Sequence, residues 1–399
     1  MQYRILSLIG LVVFTFLAWL ISEDRKKIKW RVVYWGIGLQ VVFALFILKT
    51  PIGLAIFNAA NSVFSAILNF SNYGASFLFG KLTSDTNIGA IVAFQVLPII
   101  IFVSSLASIL YYFGVIQFIV NIIAWVMQRT MKISGVEAFN SALQIFTGIE
   151  STPAIKPYLE KMTRSEIFVM MVGFMATIAS SVMAAYVSFG ASAGHLLTAS
   201  VMAAPAAVVI AKIMIPETGE PQTLSISKVV YKSSDSNIIE AAANGAYDGL
   251  KLSLSVGAML IAFVSLIWMI NGIFGLFGTS FDKIIGYLFS PFAFLMGIPL
   301  NESIRVGQLL GTKTVFNEFL AYLNMKDLIA NNVISSRSIT IATYALCGFS
   351  NFGSIAILIG GVGAIAPSRK KEVTELGIKS LIAGTLATFM TACIAGILI

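Results

Sequence analysis

Two long stretches of this chain are apolar enough for the interior of a bilayer yet carry several charges each, and that conflict limits the fold more than any other feature. Residues 115–159 contain Glu137, Glu150 and Lys156, and residues 284–322 contain Glu302, Arg305, Lys313 and Glu318. One charge at the centre of a lipid-bathed helix costs about 2.5–3.5 kcal/mol on insertion scales. These charges must therefore face protein or a water-filled cavity. Gly148, Pro153 and Pro157 interrupt the first stretch, and Gly307 and Gly311 allow a break in the second. Each stretch reads as a re-entrant hairpin, a shape that membranes accept only where protein or an internal cavity surrounds it.

The remaining apolar runs read as ordinary spans, since about 20 apolar residues cover the hydrocarbon. They fall near residues 5–21, 32–48, 88–113, 167–189, 196–214, 252–277, 339–365 and 376–399. The expected fold is an all-α polytopic membrane protein of about eight transmembrane helices plus two re-entrant helical hairpins in inverted repeats. Residues 53–72, interrupted by Asn58, Asn61, Ser62, Ser65 and Asn69, read as an interfacial amphipathic helix. A chain that is 58% hydrophobic and 11% charged is not a soluble enzyme or a nucleic-acid-binding domain.

The net charge of +8 reports topology, because the basic residues gather between apolar runs. The positive-inside rule places Arg25, Lys26, Lys27, Lys29 and Arg31, and also Arg369, Lys370 and Lys371, in the cytoplasm, with both termini outside. The first cluster follows the first apolar run, whereas the charges of a signal peptide precede it. Cys347 and Cys393 lie inside apolar runs and read as packing residues. The single histidine, His195, reads as a wet surface residue at a helix entrance and excludes a metal site of several imidazoles. The polar connection 215–235 divides the chain. The expected parts are 1–114 (scaffold), 115–235 (transport, first hairpin), 236–277 (scaffold span) and 278–399 (transport, second hairpin).

A repeated order links the two halves. Glu150 is followed 30 residues later by Ser180 and then Ser181, and Glu318 is followed 33 residues later by Asn351 and then Ser354. One hairpin comes after three spans and the other after six, so they enter from opposite faces. Such inverted repetition places a substrate site near the bilayer midplane.

The string Gly311-Thr312-Lys313-Thr314-Val315-Phe316-Asn317-Glu318-Phe319-Leu320-Ala321-Tyr322 sets a carboxylate beside a carboxamide. Together they can bond a polyhydroxylated ligand or clamp helices to one another. Asn351-Phe352-Gly353-Ser354 reads as a locally unwound helix whose freed groups meet a ligand, or as close packing through small residues.

The Gly311–Tyr322 string resembles the signature of the concentrative nucleoside transporters, a family with bacterial members. The likeness extends to Gly348-Phe349-Ser350-Asn351-Phe352-Gly353-Ser354, Glu137-Ala138-Phe139-Asn140 and Lys156-Pro157-Tyr158-Leu159. It implies a scaffold with a mobile transport domain, a homotrimer, and Glu318, Asn351 and Ser354 as residues that bind the ribose hydroxyls, while Asn317 beside Glu318 is a further substrate-binding candidate. Relatives usually read Gly-Gln-(Thr, Ser or Asn)-Glu in the first hairpin, whereas this chain reads Thr147-Gly148-Ile149-Glu150-Ser151-Thr152-Pro153. Counting back from Lys156 aligns Glu150 with the family glutamate, in a hairpin one residue short and without the glutamine. Counting forward from Gly148 places Ser151 there instead, but the first register is preferred because it keeps a carboxylate where the family and the cost of charge in lipid expect one. The family's sodium site maps onto Gln144 and Ser181, oxygen donors suited to a hard cation.

The resemblance implies cation-coupled secondary active import of nucleosides by alternating access, in a bacterial cytoplasmic membrane, with sodium or protons as coupling ion and no cofactor. The alternatives are a passive nucleoside channel or facilitator, or a transporter of a modified nucleoside. A channel calls for rings of like charge and an enzyme for a nucleophile–base set; the sequence offers isolated acids. Residues 307–313 lack the glycine pattern of an ATP-binding loop.

Overall fold

Local rules start most of the helices in this chain. The computed structural model describes residues 1–83, 92–222, 224 and 235–399, and the side chains of Ile149 and Glu150 lie outside the described set. No strand occurs among the described residues. Helices α1 (Gln2–Leu20) and α2 (Trp30–Lys49) are joined by a short 3-10 turn that Asp24 caps. Thr50 caps α3 (Pro51–Phe79) by accepting from the Gly53 N–H, with Pro51 in the first turn, where its missing N–H costs nothing. Then come α4 (Val92–Gln95), α5 (Leu97–Tyr112) and α6 (Val115–Met131).

The first half continues as α7 (Gly135–Thr147), α8 (Thr152–Leu159), α9 (Arg164–Ala176), α10 (Ser180–Ser188) and α11 (Ala193–Met214). After the 38-residue α12 (Ile238–Gly275), the second half follows as α13 (Phe281–Leu295), α14 (Leu300–Val315), α15 (Glu318–Ala330), α16 (Ser336–Leu346), α17 (Phe352–Ile365) and α18 (Lys370–Leu398). Both halves run in one order: a lead helix, a helical hairpin (α7–α8, α14–α15), a helix broken in two (α9–α10, α16–α17) and a long closing helix.

Eight helices among the described residues are long and apolar enough to cross a membrane, in keeping with the expected number, although the set differs. Residues 51–83 qualify as a span by length and composition, where the polar stripe suggests an interfacial helix ending near Asn72. Part of that stripe is used inside the protein. Asn61 Oδ1 accepts from Ser192 Oγ and the Gly194 N–H at 3.2 and 3.1 Å, tying α3 to the start of α11. The run 339–365 leaves the set because α16 stops at Leu346 and α17 starts at Phe352. The run 167–189 is also broken, at Thr177–Ala179. The expected start of the span at residue 88, and Lys228 and Lys232 in the connection, lie outside the described residues.

The first hairpin turns at Gly148, whose φ is +58°, a backbone region that glycine enters freely. The second turns later than its glycines suggest, at Phe316 and Asn317. Gly307 and Gly311 instead let α14 press against α13, and these two helices bend from one another by 117°. A Cβ on Gly307 would collide with the Gly286 carbonyl, and one on Gly311 with the Ile285 side chain.

Two arginine-centred anchors mark opposite ends of the molecule. At one end Arg369 donates to the carbonyls of Leu159, Glu160 and Met162 at 3.2, 2.7 and 2.6 Å. Beside it Glu23 pairs with Arg164 at 3.1 Å and Lys379 at 2.6 Å. The basic clusters at 25–31 and 369–371 thus share this end, and the first hairpin starts and finishes there. At the other end Arg337 donates to the carbonyls of Gly297, Ile399 and Gly396 at 3.0, 3.0 and 2.8 Å. There Arg4 reaches the Ile399 carbonyl at 2.9 Å, which brings both termini together. Glu302, at the root of the second hairpin, accepts from the Ser335 N–H and Oγ at 3.0 and 2.9 Å. The hairpins therefore enter from opposite ends.

Helices α5 and α12 pack lengthwise, pinned by Ser253 Oγ on the Leu97 carbonyl and Ser105 Oγ on the Ala242 carbonyl, both at 2.9 Å. Helix α1 lies along α18, and α2 along α11. Both cysteines are buried and unbridged. His195 is not the wet surface residue expected. It is half-buried, edge-on to Phe57 with ring centroids 4.9 Å apart, and its Nδ1 lies 3.3 Å from the Tyr344 hydroxyl. The approach of α3 covers this helix start, a contact between segments more than a hundred residues apart.

The α13–α14 contact supplies a test. Gly307→Ala should lower stability by about 1–3 kcal/mol through overpacking, read as thermal unfolding in detergent. Gly38→Ala, with open space around it, should instead keep stability or raise it by up to about 1 kcal/mol.

Candidate functional site

The two broken helices meet at their breaks. The Phe349 N–H, between α16 and α17, donates to the Thr177 carbonyl, between α9 and α10, at 3.2 Å. Each break thus meets part of the hydrogen-bonding need that it creates in the other. Asn351 restarts α17 by accepting the Ser354 N–H on its Oδ1 at 2.8 Å, and Asn317 starts α15 by accepting the Leu320 N–H at 2.8 Å. Two helix N-termini, each with its positive dipole end, are thereby placed beside one cavity.

Glu318 lies in the first turn of α15 and is 5% exposed. Its Oε1 accepts from the Tyr186 hydroxyl at 2.8 Å, and its Oε2 from Asn351 Nδ2 at 3.2 Å. The carboxylate therefore joins the second hairpin to both broken helices. Tyr186 is itself stacked on Tyr322, with ring centroids 4.3 Å apart. Behind the hairpin, Lys313 donates to the Ala345 carbonyl at 2.8 Å and to Thr388 Oγ1 at 3.1 Å, so this buried cation braces α14 against α16 and α18.

The cavity has a volume of about 320 Å³, within the range of small-molecule sites. Asn317, Glu318, Asn351 and Ser354 form its polar side. Phe174, Phe349, Val182 and, from α12, Leu252, Val256 and Met259 form its apolar side, while Thr147 and Gly148 bring in the tip of the first hairpin. A flat ligand with hydroxyls at one end and an apolar face at the other matches that division.

Four residues expected from sequence thus line one cavity. Ser151 is buried, its Oγ has no partner among the described residues, and it is not part of the cavity lining. The Glu150 side chain lies outside the described residues. Gln144 is fully buried; its Nε2 donates to the Met170 carbonyl at 2.9 Å, and its Oε1 has no partner among the described residues. Ser181 is buried in the first turn of α10, next to Ser180, whose Oγ donates to the Phe146 carbonyl at 2.8 Å. Gln144 and Ser181 therefore flank the first break with neutral oxygens, the donors an alkali cation takes.

Sequence reasoning missed Tyr186, Tyr322 and the α12 wall. A phenol inside an apolar run requires a partner, which was the available signal for Tyr186. The α12 residues are ordinary span residues and gave none. Tyr186→Phe should cost about 1–2 kcal/mol by leaving Glu318 Oε1 without its donor, measured by thermal unfolding in detergent. An unchanged transition would show that the phenol does not hold the carboxylate.

Comparison with known proteins covers the whole chain. Residues 195–396 match the family described as Na+ dependent nucleoside transporter C-terminus, 9–82 its N-terminus counterpart, and 93–193 the family described as Gate, nucleoside recognition. Mouse solute carrier family 28 member 3 is 43% identical over 100% of this chain, which spans only 59% of that longer relative. The uncharacterized transporter YutK of Bacillus subtilis is 41% identical over 98% of this chain and 99% of its own length. The solved structure of CNTnw in an inward-facing substrate-bound state is similar, with a TM-score of 0.94 at 39% identity and 98% of each chain covered. With its broken helices, opposed hairpins and full-length likeness, this chain belongs to the Na+-dependent, concentrative nucleoside transporter family.

Proposed function

We propose that this protein imports nucleosides across the cytoplasmic membrane by a sodium-coupled alternating-access cycle. The observation that carries this reading is the Glu318 carboxylate, held by Tyr186 and Asn351 at the edge of a cavity where two oppositely inserted hairpins meet. A carboxylate only accepts hydrogen bonds, so it suits a ligand that brings hydroxyl donors. Asn317, Asn351 and Ser354 supply further donors and acceptors for a ribose. The aromatic side, with Phe174 and Phe349, takes the base, and Glu150 or Ser151 in the shortened hairpin tunes which base is accepted.

The coupling cation belongs between Gln144 and Ser181. There its charge is close to the break that the first hairpin tip contacts, and its binding orders that tip against the ligand. Moving one positive charge inward gains about 2.3 kcal/mol per 100 mV, which needs no nucleotide hydrolysis. The α5–α12 pair acts as the scaffold past which the hairpins travel, because α12 supplies a wall to the cavity and touches it only through apolar side chains and Ser255. The parts 1–114 and 236–277 fall to the scaffold in this scheme, and 115–235 and 278–399 to the transport unit. Its working form is a homotrimer, by family resemblance, with the basic end in the cytoplasm and both termini outside.

Glu318→Gln should abolish accumulation of labelled uridine and adenosine in energised vesicles, a loss of at least tenfold for about 1.5–3 kcal/mol of charged hydrogen bonding, with normal membrane insertion. Wild-type uptake by this variant would remove Glu318 from the site. Replacing sodium by choline should stop accumulation; flux that equilibrates without accumulating would establish a passive facilitator. Glu150→Gln should reorder the preference among nucleosides, and an unchanged order would favour the Ser151 register.

A further inference from the structure

Helix α7 is amphipathic, yet it has no solvent to face. Glu137, Asn140, Ser141 and Gln144 recur at helical spacing within about 100° of one face, while Val136, Phe139, Ala142 and Leu143 take the other, and all eight are buried. The two ends of the polar face are engaged. At the basic end Glu137 pairs with Lys212, which also bonds Glu217 at 3.1 Å and Ser165 Oγ at 3.0 Å. At the deep end Gln144 Nε2 holds the Met170 carbonyl.

Between them lie atoms with no partner among the described residues: Asn140 Oδ1 and Nδ2 and Ser141 Oγ, in side chains 1% and 0% exposed, joined by Gln144 Oε1 one turn deeper. Leaving each unmet costs about 1–3 kcal/mol, and nothing in local helix formation calls for a carboxamide and a hydroxyl there. A small pocket opening at the basic end reaches Glu137 and Lys212, about 10 Å along the helix from Gln144 at 1.5 Å per residue.

We propose that Asn140 and Ser141 form a hydrated second position for the coupling cation, through which it leaves Gln144 for the basic end, with the Lys212–Glu137–Glu217 cluster closing the mouth. This rests on the sodium-coupled reading above. Two acceptor oxygens with shared water suit a monovalent cation, while the unpartnered Asn140 amide hydrogens hold the water rather than the ion. Lys212, a tethered cation already satisfying Glu137, keeps the mouth shut until the hairpin moves.

The test separates release of the ion from binding of the nucleoside. In proteoliposomes, Asn140→Leu should lower net sodium-driven nucleoside uptake at least about tenfold, the loss of a buried polar partner. Nucleoside exchange with equal sodium on both sides, which does not require the cation to leave, should stay within about threefold, the range of a substitution without wider damage. Asn140→Ser, which keeps a hydroxyl, should restore net uptake. Ser141→Ala, which removes only the hydroxyl, is read the same way and decides the matter if Asn140→Leu does not insert. Net uptake and exchange falling together, or neither falling, overturns the second position. Wild-type uptake without any response to sodium instead overturns the coupling reading on which it rests.

Discussion

A broken helix inside a bilayer is sustainable only if its freed backbone groups find partners, and here two breaks meet part of that need in each other. The Phe349 N–H on the Thr177 carbonyl fixes where the half-helices cross. That crossing sets where α10 and α17 begin, and therefore where Tyr186 and Asn351 can reach Glu318. The site is built where irregular backbone, helix N-termini and small polar side chains coincide.

The hairpins extend the same constraint. Each carries charges that lipid would reject, and each is rooted by an arginine, Arg369 for the first and Arg337 for the second, at opposite ends of the molecule. Their tips come together over a cavity to which neither half contributes a complete wall. The buried Lys313 amine is accommodated by a carbonyl and a hydroxyl from the helices behind it. The bonds that fix Glu318 lie within the two repeats.

Several features were legible in the residues alone. The hairpins follow from charge in apolar stretches, the unwound segment near Asn351 from its Gly and Ser neighbours, and the common end of the two basic clusters from their placement between spans. Glu318, Asn317, Asn351 and Ser354 were identified by the Gly311–Tyr322 and Gly348–Ser354 strings and do line one cavity. Other features were not legible. The break at Thr177–Ala179 is hidden because its residues are apolar or small and continue the hydropathy of a span. His195 reads as wet because its partner Phe57 lies far away in sequence.

By itself the sequence determined that the chain crosses a membrane on many helices, that two segments do not cross it, and that an acid-bearing hairpin in each half was a candidate for one site. Hydropathy, charge cost and helix caps are local, so they can be read along the chain. Only the tertiary structure decided that Tyr186 holds Glu318, that α12 closes the cavity, and that a polar face of α7 lies buried with its central groups unmatched. Each of those depends on which helices become neighbours, and apolar periodicity, being alike on many faces, does not specify that.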